Sequence, residues 1–215
     1  MPVEGPSYPV NLLLGGRRAL VVGGGSVALE KARGLLAAGA VVTVVAPEVA
    51  PELQALDVTV EPRRYEPGEV EGYWFAIACT DDPAVNQQVH DDGLAARVWV
   101  NAADDPARCT ATLPARLDRG DILVTVSTGG RSPAFTAWLR DQLGEQVGPE
   151  HEALLDLLAS TRAELLSAGH RHPAASWRQA LDSGMLDLIR TGQTAEARAL
   201  LLSTLDSASA PPGSR

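Results

Sequence analysis

The stretch Arg18-Ala19-Leu20-Val21-Val22-Gly23-Gly24-Gly25-Ser26-Val27-Ala28 decides the fold of this 215-residue chain. A short run rich in β-formers, Ala19–Val22, enters a glycine turn, and an apolar-periodic segment begins at Val27. That is a strand, a tight turn and a helix start, in the pattern G-x-G-x-x-A at Gly23, Gly25 and Ala28. Gly23 permits the turn, Gly25 lets backbone approach a pyrophosphate, and Ala28 lets helix and strand pack closely. The N–H groups at the start of the helix are then free for phosphate. The plainer alternative is a glycine turn that only joins a strand to a helix. The flanking strand and helix favour a dinucleotide site.

Outward from the turn, strand-like runs recur at Val41–Ala46, Val58–Glu61, Trp74–Cys79 and Val98–Asn101. Helix-like spacing fills Val27–Ala38, Pro51–Leu56 and Pro83–Ala96 between them. This alternation implies βαβ units and a parallel sheet. The runs VVTVVA and WFAIAC are almost continuously apolar, as strands covered on both faces should be. After Leu113 the pattern changes. Ala115–Leu117 and Ile122–Ser127 flank the turn signal Asp118-Arg119-Gly120-Asp121, which predicts a hairpin. Ser132 and Pro133 then open a helix as N-cap and first helical residue, with Phe135, Trp138, Leu139, Leu143 and Val147 on one face. From Glu150 the chain reads as helical, with a leucine stripe at 154, 155, 157, 158, 165 and 166 and breaks near Gly169–Pro173, Gly184 and Gly192. The small, polar stretch from Ser203 to Arg215 reads as a disordered tail. The expected fold class is therefore α/β: a Rossmann-like parallel sheet over residues 1–113, a hairpin-and-helix segment over 114–148, a helical module over 149–205, and a tail over 206–215.

The bulk properties narrow the function. The net charge of −9 argues against nucleic acid as a partner. No apolar run approaches the roughly 20 residues that span a membrane, and the N-terminus lacks a secretory pattern, so a cytoplasmic protein is expected. The two cysteines, Cys79 and Cys109, lie far apart in strand-like runs and read as buried free thiols. The sole lysine, Lys31, reads as a solvated helix residue. His90, His151, His170 and His172 lack metal-ligand spacing, so no dedicated metal site is expected.

Several residues at expected strand ends can carry chemistry, because ligands of open parallel sheets sit outside the carboxyl ends of the strands. Glu48 follows the second strand, 23 residues beyond Gly25, where an acid usually meets the adenosine ribose. No arginine adjoins it, which favours NAD over NADP. Alternatively, Pro47 and Glu48 merely open the next helix. Thr80 ends the fourth strand and is placed for the nicotinamide side, whereas Asp81 or Asp82 caps the helix at Pro83. Asp104 follows the fifth strand and is either a loop acid or a general base. The loop Thr128-Gly129-Gly130-Arg131 either binds an anion through backbone N–H groups or is an ordinary capped turn.

Together these segments resemble a known family. VVGGGSVALEKARGLLAAGAVVTVVAPE is similar to the start of the precorrin-2 dehydrogenase module of sirohaem synthases. ACTDDPAVNQQV, NAADDPARCTATLPA and LVTVSTGGRSPAFTAWLRDQL resemble its later landmarks, in the same order, from about Tyr8 to Leu143. The length matches the stand-alone form without the fused methyltransferase domain. The resemblance implies NAD-dependent oxidation of precorrin-2 to sirohydrochlorin, with ferrous iron insertion in many members, and a homodimer interlocked through the segment after the Rossmann domain. By the same resemblance Gly23, Gly25, Ser26, Val27, Pro47, Glu48 and Thr80 contact NAD, and Asp104 is the catalytic acid/base. Thr128 stands where some relatives have serine, and Ser26 where some have an acid. The tetrapyrrole carries many carboxylates, which Arg116, Arg119, Arg131 and Arg140 can pair with, beside Thr128, Gly129 and Gly130. The rival readings are a non-catalytic NAD-sensing regulatory domain and a chelatase without dehydrogenase activity.

Overall fold

The computed structural model describes residues 7–103 and 105–209. Five strands form one parallel sheet: β1 (Arg18–Val22), β2 (Val41–Val45), β3 (Thr59–Glu61), β4 (Phe75–Ala78) and β5 (Trp99–Ala102), in the order β3-β2-β1-β4-β5. The helices α1 (Ser26–Ala37), α2 (Pro51–Gln54) and α3 (Pro83–Ala96) connect them. The register sets Val22 beside both Val45 and Ala78, and Ala78 beside Ala102, so four strands end level. The Rossmann-like expectation holds, with element ends moved by a residue or two.

Successive strand residues go to opposite faces of a sheet. Val21, Val44 and Ile77 join Ala28, Ala32 and Leu35 of α1 in one buried cluster. Leu20, Val22, Val45 and Ala76 join Val70, Val89 and Val100 in a second, on the other face. This two-sided covering is why VVTVVA and WFAIAC show no polar alternation. Each such fully buried Val or Leu contributes about 1.5–3 kcal/mol relative to exposure.

The described chain divides into two compact units, Met1–Pro114 with Ser127–Pro133, and Ala115–Val126 with Ala134–Arg215. The second holds the antiparallel hairpin β6 (Ala115–Arg119) and β7 (Ile122–Val126), and the helices α4 (Pro133–Gln146), α5 (Pro149–Ser167), α6 (Ala174–Leu181), α7 (Met185–Arg190) and α8 (Thr194–Ser209). The first hairpin strand runs two residues further than expected, and the second ends one residue sooner, at Val126. Arg119 pairs with Ile122, and only Gly120 and Asp121 make the turn, with Gly120 at φ 54°. The helical core of this unit gathers Leu154, Leu157, Ala180, Met185, Ile189, Ala197, Leu201 and Leu205.

One expectation fails at the C-terminal end. The composition predicts a disordered tail from Ser203, but Ser203–Ser209 forms the last turns of α8. Leu201 and Leu205, four residues apart, anchor it in the core at 0% and 1% exposure. The polar side chains that suggested disorder bond back along the helix: Ser203 Oγ and Thr204 Oγ1 donate to Leu200 O at 2.9 and 2.8 Å, and Ser207 Oγ donates to Thr204 O at 2.9 Å. Residues 210–215 lie outside the described residues.

Candidate functional site

The strand order places its topological switch between β1 and β4, where open α/β sheets bind ligands. The Gly23–Gly25 turn leaves β1 at that point. Gly23 has φ 134°, and a Cβ on it would lie 2.6 Å from Cys79 O at the end of β4. Gly24 is held more tightly still: a Cβ there would lie 1.9 Å from Glu48 O. The backbone explains the squeeze, since Gly23 N donates to Val45 O at 3.0 Å and Ala50 N donates to Gly24 O at 2.9 Å. Gly25 differs. Its φ is −88°, and a Cβ on it would meet nothing within 4 Å. The helix ladder starts with Leu29 N donating to Gly25 O at 3.0 Å, so the N–H groups of Ser26, Val27 and Ala28 precede it. Ala28 is fully buried against the sheet, as the pattern requires.

Gly23 and Gly24 thus serve close chain approach, and Gly25 opens the face on which a phosphate would sit. Those residues fit a dinucleotide pyrophosphate. The role of Gly24, an unspecified x in the pattern, was not legible from spacing, because its partner carbonyl comes from a segment 24 residues away. Pro47 and Glu48 are exposed beyond β2, and α2 begins only at Pro51, with Glu52 in its first turn. The alternative that Glu48 opens that helix is therefore overturned.

At the end of β4, Thr80 is clamped by a residue the sequence reading missed. Asn86 Oδ1 accepts from Thr80 N at 3.2 Å and from Thr80 Oγ1 at 2.8 Å, and its Nδ2 donates to Thr80 O at 2.9 Å. Asn86 is 9% exposed and sits in the first turns of α3. The only available signal was an amide six residues beyond the threonine. Asp82 caps α3, accepting from Ala84 N at 2.9 Å, so the capping reading holds for that acid.

Asp104 lies outside the described residues. Its neighbours are fixed on both sides. Ala103 N donates to Ala78 O at 2.8 Å, and Asp105 N donates to Ala102 O at 3.3 Å. Asp105 also pairs with Arg108, whose Nε donates to Gln87 Oε1 at 2.7 Å. His90 Nδ1 lies 3.0 Å from Arg108 O and, facing a carbonyl, is the donor. Three residues of α3, Asn86, Gln87 and His90, therefore hold the segments that follow both β4 and β5.

Cys79 and Cys109 are free and half-buried. Burial pushes the Cys79 thiol up to about 12, against a smaller downward pull from Lys31, and burial also raises Cys109. Neither is suited to act as a thiolate nucleophile. Lys31, expected to be solvated, keeps only 23% of its side chain exposed and pairs with Glu30 at 2.9 Å.

The second glycine loop closes largely on itself. Gly129 N donates to Ser127 Oγ at 3.3 Å, Arg131 N to Thr128 O at 3.2 Å, and Ser132 N to Thr128 Oγ1 at 3.4 Å. With these N–H groups turned inward, the reading of a backbone anion cradle loses most of its donors. Arg131 is exposed. In the other unit, Arg116 Nε pairs with Asp118 Oδ2 at 3.2 Å, and Arg140 pairs with Asp141 at 2.6 Å. Among the described residues no group of three or more His, Cys, Asp or Glu is arranged to hold a metal ion, and no helix is long and apolar enough to cross a membrane.

The sheet order and the glycine turn define a dinucleotide-binding protein of the Rossmann class. A family model described as NAD(P)-binding matches residues 10–115, and one described as sirohaem biosynthesis protein, central, matches residues 119–146. A siroheme synthase of Chromobacterium violaceum is 38% identical over 201 residues, covering 89% of this chain and 42% of the relative. One of Pseudomonas entomophila is 38% identical over 208 residues, covering 93% and 44%. The chain thus spans less than half the length of these curated relatives. A solved structure, SirC, precorrin-2 dehydrogenase, superposes with a TM-score of 0.71 at 26% identity, covering 92% of this chain and all of that one. The chain belongs to the family of sirohaem biosynthesis proteins that these matches share.

Proposed function

We propose that the chain is an NAD-dependent precorrin-2 dehydrogenase that oxidises its tetrapyrrole substrate to sirohydrochlorin. The observation that carries the reading is the contrast within the glycine turn, two glycines closed against backbone and one open, at the switch between β1 and β4. The likeness to siroheme synthases and to SirC supports the substrate class.

In this reading Ser26 and Val27 present backbone N–H groups to the pyrophosphate at the start of α1. Pro47 and Glu48 flank the adenosine ribose, and the acid without a neighbouring arginine favours NAD. The Thr80 loop lies on the nicotinamide side. A nicotinamide held there would supply the hydride acceptor; the accompanying proton needs a base, and Asp104 takes it. The same carboxylate can take the pyrrole N–H protons displaced when ferrous iron, as a second substrate, is inserted. Arg131 pairs with substrate carboxylates, and Arg116 is a second candidate for that role. Residues 114–148 serve as the dimerisation segment of a cytoplasmic homodimer, whose helix α4 exposes Phe135 and Trp138.

The test is direct. Purified protein is incubated with precorrin-2 and NAD, and absorbance is followed for sirohydrochlorin and NADH. NAD-dependent conversion is expected; none, or conversion indifferent to NAD, overturns the reading. Iron insertion faster than the spontaneous reaction on adding ferrous iron would establish the second activity. Asp104→Ala should abolish turnover while NAD binding by titration is largely kept, and full turnover in that variant removes Asp104 from the mechanism.

A further inference from the structure

The leucine stripe of α5 is wider than one core-facing stripe requires. Leu154 and Leu157 are buried in the helical core. Leu158 and Leu165, with Trp177 of α6, are partly buried at the edge of that core, and together with Leu155, Ala159, Leu166 and Leu181 they line an open groove of about 620 Å³. Leu166 and Leu181 stay 45% and 40% exposed, so this apolar surface is wet. The volume lies in the range of small-molecule sites, about 300–1,000 Å³.

The rim is rich in arginine and histidine. Arg162, His170, Arg171, His172 and Arg178 all border the groove. Arg178 is neutralised by Asp182 at 3.3 Å. Elsewhere in this unit Arg116, Arg140, Arg190 and Arg198 pair with acids, whereas among the described residues Arg162 and Arg171, like Arg119 of the hairpin, form no ion pair. Acids outnumber Lys and Arg 27 to 18 in this chain, so a groove with two unneutralised guanidinium groups over leucine and tryptophan has a definite complement. The complement is a flat apolar body edged with carboxylates. Guanidinium groups pair with carboxylates in fixed fork geometry and lie against ring faces.

We infer that the groove between α5 and α6 is a second ligand site, which takes a polycarboxylated tetrapyrrole. It rests on the proposed activity for the identity of that ligand. All of its lining residues belong to the helical unit, and none is among the residues assigned to the dinucleotide site. A macrocycle would lie on Leu158, Leu166 and Trp177, with its acidic side chains reaching Arg162 and Arg171.

The experiment titrates the full chain with uroporphyrin, a stable polycarboxylated porphyrin, and reads tryptophan fluorescence, with Trp177→Phe identifying the groove's share of the quench. Arg162→Glu/Arg171→Glu should weaken that component about tenfold or more, because each charge-assisted contact becomes a repulsion. Leu166→Ala/Leu181→Ala should weaken it as well, through the apolar floor. Both variants alter exposed side chains and should retain the parent circular dichroism. Unchanged porphyrin affinity in the charge-reversed variant overturns the site. So does a change of sedimentation behaviour with affinity intact, which would make the groove a contact between copies. If precorrin-2 is not oxidised but the charge-reversed variant still loses the porphyrin, the groove stands and the proposed activity falls.

Discussion

The chain has two glycine loops that open helices, and they use glycine for different physical reasons. In the first, Gly23 and Gly24 are glycine because neighbouring backbone lies where a Cβ would go, 2.6 and 1.9 Å away. In the second, Gly129 and Gly130 sit at φ 61° and 74°, and a Cβ on Gly129 would meet open space. The first loop needs the absence of a side chain at both positions, with a positive φ at Gly23 besides; the second needs only a left-handed backbone. The first is held from outside, by the segment after β2 and the end of β4. The second is held by its own Ser127 and Thr128 hydroxyls. A glycine motif therefore marks a ligand site only when something beyond the motif shapes it.

Substitutions separate the two kinds. Gly24→Ala should be the most damaging, costing about 3 kcal/mol because backbone must move to admit the methyl group, and lowering NAD affinity with it. Gly25→Ala, one residue on, should leave the melting temperature within the error of the wild type while weakening NAD in a binding titration. An equal loss of stability in both would break the distinction. Asn86→Ala removes three hydrogen bonds to Thr80 and should cost about 2 kcal/mol in denaturant unfolding. Asn86→Asp keeps the acceptor but sets a carboxylate against Thr80 O, so it should restore little. Gly130→Ala should cost about 1 kcal/mol, the strain of a left-handed residue, with no change in NAD binding. If it matched Gly24→Ala, the second loop too would be packed from outside.

How much of this was readable follows from the range of each contact. VVGGGS and the unbroken apolar runs VVTVVA and WFAIAC identify buried parallel strands because their signal is local. The helix starts at Pro83 and Pro133 are local too, since proline fixes the first helical residue. Glu48 O against Gly24, Asn86 around Thr80 and Gln87 on Arg108 are tertiary meetings that no spacing encodes. Ser203–Ser209 misled for a related reason. Its serines and threonine look like loop residues until Leu201 and Leu205 are seen in the core. At Asp104 the sequence named a residue, and its neighbours Ala103 and Asp105 are each tied to a strand end.

The brace formed by α3 bears on motion as well as geometry. Asn86 holds the segment after β4, and Gln87 and His90 hold the segment around Arg108. Neither segment can loosen fully without disturbing the same two turns of one helix, so their openings are coupled events. Amide exchange at Thr80 and at Arg108 should therefore share one opening free energy, and Asn86→Ala should speed exchange at both. In such a protein the ends of β4 and β5 breathe as a single unit.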